Sequence, residues 1–150
     1  MTKTEQMQNL WRRYQNEHGY EPSSTRIVID WAVQHGLIEL PQVDLHEILA
    51  HQMSKALREE TTVDRFGREY RLNHAVRGPQ GTLWGVMGHV LDDHMEKSFT
   101  QRREQIVGDC LHLRNDVDVF NDKRTDTGKE PYQLDLNFTD DVEERLAVRI

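Results

Sequence analysis

Arginine is concentrated in one short part of this sequence. Residues 65–77 hold four arginines and a single acidic residue, Glu69, although the chain of 150 residues carries a formal net charge of -7. Guanidinium groups bind phosphate oxygens through paired hydrogen bonds, so this local excess favours a phosphate-binding surface. With the basic residues of the preceding helix, the predicted nucleic-acid contacts are Lys55, Arg58, Arg65, Arg68, Arg71 and Arg77. The alternative is a charged hairpin whose polar face is only solvated.

Three helices and a hairpin are predicted to position these residues. Apolar residues recur at helical spacing in residues 4–18, in a stretch that ends at Gly36, and in a third stretch capped by Asp44. Strand formers alternate in the flanks "TTV" and "EYRLNHAV", residues 61–63 and 69–76, of a tight turn at Asp64–Gly67, which predicts one hairpin. The sequence "LIEL" predicts a short strand or turn, and "TLWGVMG" a short strand or an irregular segment.

This order of elements is typical of a winged helix-turn-helix domain, which we predict over residues 4–90. The predicted fold class is therefore mainly α with a small β-hairpin. In such a domain the third helix enters the major groove of DNA and the hairpin lies along the backbone. However, acidic residues on or beside this helix oppose contact with phosphate: Asp44, Glu47, Glu59 and Glu60.

Residues 91–122 predict one long helix that serves for packing or dimerisation. Its acidic start and basic end suit the helix dipole. Its apolar residues follow a heptad-like spacing, which Arg102 or Arg103 interrupts and Gly108 weakens. This seam either packs along the same domain or joins two chains in a homodimer. It comprises Phe99, Ile106, Cys110, Leu113, Val117 and Phe120.

Residues 123–150 predict a linker followed by an acidic tail. The sequence "NDKRTDTGKEP" is rich in helix breakers and charge, and residues 130–150 hold two basic residues against six acidic ones. Between them "QLDLNF" places a large apolar residue at every second position. The same period is typical of a half-buried edge strand and of an extended peptide bound in the groove of a partner. Both interpretations are open at this stage.

The hexapeptide Gln133–Phe138 resembles the linear motif by which bacterial polymerases and associated factors bind the DNA sliding clamp. The resemblance covers these six residues only, in the longer variant of the motif. It implies that Gln133 enters a small polar pocket, that Leu134 and Leu136 enter an apolar groove, and that Phe138 is the terminal anchor.

Other kinds of chemistry have little support in the sequence. The single cysteine, Cys110, excludes an intramolecular disulfide and a cysteine-rich zinc site. No nucleophile elbow, P-loop or dinucleotide-binding motif is present, so we expect neither an enzyme nor a cofactor. No apolar run approaches the length of a membrane span, and we expect a cytoplasmic protein that does not bind membranes.

These features together predict a non-enzymatic adaptor in DNA metabolism, such as replication, repair or the movement of mobile elements. In this hypothesis the folded part binds double-stranded DNA, and the tail docks on the sliding clamp. One alternative is a dimeric winged-helix transcription regulator whose tail is a strand of the fold. Another is a protein-binding module or inhibitor that acts through its acidic surface.

Overall fold

The computed structural model describes residues 1–148, which form five helices and four strands. The helices are α1 Lys3–His18, α2 Thr25–Gln34, α3 Leu45–Glu59, α4 Asp92–Asp126 and α5 Thr139–Ala147. The strands are β1 Thr61–Val63, β2 Glu69–Arg71, β3 Asn73–Gly78 and β4 Gly81–Val86. Helices account for 57% of the chain, so the predicted mainly α class is confirmed. The fold divides into two compact units, Met1–Ile48 and a second that begins at Leu49.

The first unit is built on α1 and α2. A capping box starts α1, because Thr2 Oγ1 accepts from the Glu5 N–H at 3.1 Å and Glu5 accepts from the Thr2 N–H at 3.1 Å. Ser24 caps α2 by accepting from Ile27 N–H at 3.3 Å. Leu37 and Tyr14 are partly buried against a small apolar core in this unit. The core consists of Leu10, Val28, Trp31, Ala32 and Ile38.

The segment "LIEL" forms no strand, so the turn is the correct alternative. Gly36 adopts a φ of 66°, and Leu37 N–H then bonds to the Ala32 carbonyl at 2.9 Å. This left-handed residue ends α2 and reverses the chain, as glycine does after many helices.

Helix α3 begins where the sequence predicts, since Asp44 accepts from the backbone N–H groups of His46 and Glu47. It has no buried residue, although Leu45, Leu49 and Met53 are large and apolar. A winged-helix recognition helix buries one face in a core of three helices. The winged helix-turn-helix assignment is therefore not confirmed, and only the mainly α class is confirmed.

The predicted hairpin is present in the second unit as the antiparallel pair β1–β2. Asp64 organises its turn: Oδ1 accepts from the N–H groups of Phe66 and Arg68 at 2.9 Å, and Oδ2 accepts from Arg68 Nε at 2.7 Å. These bonds, the Arg68 N–H foremost, hold the pKa of Asp64 below its ordinary value. Gly67 supplies the positive φ, 78°, that the turn requires.

A second antiparallel hairpin, β3–β4, follows directly and pairs Asn73 with Val86 and Gly78 with Gly81. The sequence did not predict this pairing, because residues 73–76 were assigned to the first hairpin. The residue opposite His74 is Gly85, and it must be glycine. A Cβ there would overlap the side chain of Val90, which packs against the strand.

Helix α4 is 35 residues long and extends to Asp126, four residues into the predicted linker. Its first turns pack on β3, where Ser98 is almost fully buried. The apolar seam of its later turns is largely exposed. Of the heptad-like residues Phe99 packs on the His74 ring, whereas Ile106, Leu113 and Phe120 are about half exposed.

The hexapeptide 133–138 is not part of a strand, so the alternative of an edge strand is wrong for this segment. The chain just before it is tied to the end of α4. Asn121 makes two hydrogen bonds to the backbone of Tyr132, at 2.7 and 2.9 Å, and Arg124 Nε donates to the Glu130 carbonyl at 2.7 Å. The segment predicted as a flexible linker is therefore ordered in part, and the peptide starts from a fixed point.

Candidate nucleic-acid interface

A pocket of about 800 Å³ lies between the β3–β4 hairpin and the first half of α4, in the second unit. This volume falls in the range of ligand-binding sites, about 300–1,000 Å³. Basic and uncharged polar side chains predominate in its lining. The residues are Arg58, Arg71, Asn73, His74, Ala75, Arg77, Thr82, Trp84, Ser98, Thr100, Gln101, Arg102, Glu104 and Gln105.

Two strand residues, Asn73 and His74, are buried in the wall of the pocket. The Asn73 side chain donates to the Leu57 carbonyl at 3.2 Å and to a Glu60 oxygen at 2.7 Å, which ties β3 to the end of α3. The His74 ring lies 2.7 Å from the Arg71 carbonyl through Nε2. Because a carbonyl only accepts, Nε2 carries the proton and Nδ1 has a free lone pair.

The buried wall leaves two polar atoms without a partner among the described residues, His74 Nδ1 and Ser98 Oγ. Burial lowers the pKa of His74 below its ordinary value of 6.5, and the charges of Arg102, Arg71 and His94 lower this pKa further, against the opposing bond to the Arg71 carbonyl. The ring is therefore neutral near pH 7, and its Nδ1 is a hydrogen-bond acceptor.

The four arginines of the pocket form no ion pair within residues 1–148. Five of the nine other arginines in this range lie near a carboxylate, namely Arg13, Arg26, Arg68, Arg103 and Arg114, so the pocket differs from the rest of the chain in holding four unpaired arginines together. The one acidic residue in the lining, Glu104, pairs with Arg103 at 3.7 Å and leaves the pocket uncompensated. A concave surface with four unpaired cations in an acidic protein is suited to an anion.

Arg102 and Arg71 are close enough for their charges to interact. Burial lowers the pKa of Arg102, and the positive charge of Arg71 lowers this pKa further. Two guanidinium groups that repel each other are stabilised when an anion binds between them. This pair is the strongest electrostatic sign of an anion site in the pocket.

An aromatic ring completes the site. Trp84 on β4 lies opposite Ala75, and its half-buried ring has the guanidinium carbon of Arg58 at 5.5 Å from its centroid. Tryptophan and arginine both present planar surfaces on which nucleobases stack. The pocket thus combines charge for phosphates with a flat surface for a base.

Three of the six predicted nucleic-acid contacts, Arg58, Arg71 and Arg77, line this pocket. Arg65 and Arg68 instead flank the Phe66 ring at the tip of the first hairpin, with guanidinium carbons 4.7 and 5.3 Å from its centroid. Lys55 is not in the pocket lining.

Arg102 and Gln101 were not predicted as site residues. Gln101 bonds to the backbone of Arg77 through both its amide oxygen, at 2.8 Å, and its amide nitrogen, at 2.9 Å. The available signal was the interruption of the heptad-like seam at Arg102 or Arg103, which marks a part of α4 with a different role.

The second candidate site is the tail hexapeptide. Gln133 and Phe138 are exposed, while Leu134 and Leu136 are half-buried. Asp135 accepts from Asn137 N–H at 2.8 Å, which bends the chain just before α5. The two ends of the motif are therefore accessible to a partner.

Comparison of the chain with protein-family models, curated proteins and solved structures gives no match. Among residues 1–148 no three or more His, Cys, Asp or Glu side chains are grouped so that they could bind a metal ion. None of the helices in this range has the length and apolar character to cross a bilayer.

Proposed function

We propose that this protein is a non-enzymatic adaptor in DNA metabolism that binds nucleic acid in the arginine-lined pocket and docks on the DNA sliding clamp through residues 133–138. The observation that supports it most is the set of four arginines without carboxylate partners on one concave surface beside Trp84. An acidic protein has no reason to concentrate unpaired cations unless they meet a polyanion there.

Nucleic acid suits this surface better than an acidic protein does. Acidic side chains bind mainly by charge, whereas the site also has an aromatic ring and uncharged donors such as Thr82 and Gln105. These groups match the sugar and base components of a nucleotide.

The proposal is tested by fluorescence anisotropy with a labelled oligonucleotide at low salt. Arg71→Ala and Arg77→Ala should each weaken binding by roughly tenfold, because a charge-assisted hydrogen bond contributes about 1.5–3 kcal/mol. Arg26→Ala is the matched control, since Arg26 is exposed, ion-paired with Asp30, and in the first unit. If the wild-type chain does not bind, or the pocket variants bind as tightly as Arg26→Ala, the proposal is wrong.

The clamp-docking part rests on the exposed ends of the hexapeptide and on its anchored start. Because Asn121 holds Tyr132 beside α4, the motif begins directly after an anchored residue. Docking exchanges the partial burial of Leu134 and Leu136 for burial in the clamp groove. Linking a DNA-binding pocket and a clamp-binding peptide in one chain raises the effective concentration of each partner for the other.

A dimeric DNA-binding regulator is the second candidate, and the exposed seam of α4 favours it. Apolar residues such as Ile106, Leu113 and Phe120 are about half exposed in the single chain. A pair of α4 helices packed along this seam would cover them. Such a dimer requires two-fold related DNA sites, whereas the adaptor does not.

A further inference from the structure

We propose that the pocket binds single-stranded nucleic acid, with one unpaired base held against Trp84 and the flanking phosphates on the arginines. This inference rests on the proposed nucleic-acid binding and names its substrate class. It also departs from the sequence-based expectation of double-stranded DNA.

The flat surfaces in the pocket favour an unpaired base. Both Trp84 and Arg58 line the pocket, and the guanidinium carbon of Arg58 lies over the Trp84 ring at 5.5 Å from its centroid, so a base stacks on this pair or takes the place of Arg58 on the ring. In a duplex both faces of each base are covered by its neighbours in the stack, so no base face is free for Trp84. A single strand offers such faces at every nucleotide.

The buried polar atoms support the same conclusion independently. Ser98 is 1% exposed and His74 is 4% exposed, and both line the pocket. Ser98 Oγ and His74 Nδ1 have no hydrogen-bond partner among the described residues. Buried polar groups are almost always paired, so these two atoms in the pocket wall favour a ligand that reaches one or both of them.

A nucleobase edge carries the required complement. His74 Nδ1 accepts a hydrogen bond, while the Ser98 hydroxyl donates one. The Watson–Crick edge of a base holds donors and acceptors side by side, and pairing in a duplex occupies them. A paired base could not use these atoms.

The arginines then provide the strand with its phosphate contacts. Arg77 lies at the end of β3, and Arg71 lies at the end of β2. Arg102 on α4 has its charge close to that of Arg71. A free nucleotide shares this chemistry of base and phosphate, but it has phosphate on one side of the base only.

The test compares three probes on the full chain: a fluorescein-labelled single strand, its matched duplex, and an unlabelled nucleoside monophosphate as competitor. We expect the single strand to bind at least about tenfold more tightly than the duplex. Trp84→Leu should remove most of this difference, and Ser98→Ala should weaken only single-strand binding. Trp11→Leu, which changes a partly exposed tryptophan of the first unit, should leave both affinities unchanged.

Each other outcome rejects the inference in a distinct way. Equal affinity for strand and duplex, still lost on Arg71→Ala, overturns the single-strand assignment but keeps the proposed nucleic-acid binding. Binding of neither probe overturns both. If the monophosphate displaces the labelled strand at the same concentration as unlabelled single strand does, the pocket is assigned to a free nucleotide. Far-UV circular dichroism of each variant distinguishes lost contacts from unfolding.

Discussion

The side-chain amide of Gln101 forms two hydrogen bonds with the backbone of Arg77, one through its oxygen at 2.8 Å and one through its nitrogen at 2.9 Å. A strand residue thus gains from α4 both of the bonds that a neighbouring strand would supply. The pair fixes α4 on β3 and sets the position of Arg77 relative to Arg102. The shape of the arginine pocket depends on this contact.

Replacing this amide should therefore affect both stability and binding. Gln101→Leu removes two hydrogen bonds at similar side-chain volume and should lower the free energy of unfolding by about 1–3 kcal/mol, measured by urea denaturation. Gln52→Leu, at an exposed position of α3, serves as control because its side chain forms no hydrogen bond within the described chain. Equal midpoints for the two variants would show that the Gln101 contact contributes nothing.

His74 should make stability depend on pH. Its pKa in the folded chain lies below the unfolded value of 6.5, so protons bind preferentially to the unfolded chain in the window between them. The free energy of unfolding should therefore rise with pH up to about 6.5 and then level off. The charges of Arg102, Arg71 and His94 lower the pKa of His74 and so strengthen this trend.

The variant His74→Gln keeps a donor for the Arg71 carbonyl and removes the titration. Urea denaturation at about pH 5 and about pH 7 should show a smaller rise for the variant than for the wild-type chain. If the free energy of unfolding rises equally between the two pH values in the variant and in the wild-type chain, His74 is not buried and neutral.

The tail should bind the clamp through its end residues. Gln133→Ala and Phe138→Ala in the full chain should each weaken binding to immobilised clamp by about tenfold or more, because each is a predicted anchor. Surface plasmon resonance provides the affinity, with Glu144→Ala on α5 as control outside the motif. Absence of saturable binding by the wild-type chain, or equal affinity of all variants, excludes this docking mode.

The apolar seam of α4 should determine whether the protein is a monomer or a dimer. If two chains pair along it, sedimentation equilibrium should show a dimer that the double variant Ile106→Asp, Leu113→Asp converts to a monomer. Leu111→Asp lies off the seam and is at least as exposed, at 58%, so it should leave the dimer intact. A monomeric wild-type chain would remove the basis of the dimeric regulator.

Local signals predicted the elements well. The Asp44 side chain caps α3 as predicted, and the helix begins after it. The turn from Asp64 to Gly67 needs a carboxylate acceptor and a residue with positive φ, and the sequence provides both. In each case residues a few positions apart determine the structure.

Contacts between residues far apart in the sequence could not be predicted from local patterns. Whether residues 73–78 pair with β1 or with β4 depends on tertiary packing, because a strand has the same period with either partner. Arg102 joins Arg71 only because α4 packs on the second hairpin. Likewise "QLDLNF" has the period of a strand, yet it lacks a neighbouring strand among the described residues.

The central claim, that the arginine pocket binds nucleic acid, is tested most directly by the salt dependence of binding to a labelled single strand. Anisotropy titrations between roughly 50 and 200 mM salt give the slope of log affinity against log salt. Arg102→Ala should weaken binding and make this slope shallower by about 0.7, the value for one phosphate contact on a single strand. Arg114→Ala, on the same helix but ion-paired with Asp118, should change neither quantity. Identical slopes and affinities for Arg102→Ala and the wild-type chain would contradict the claim.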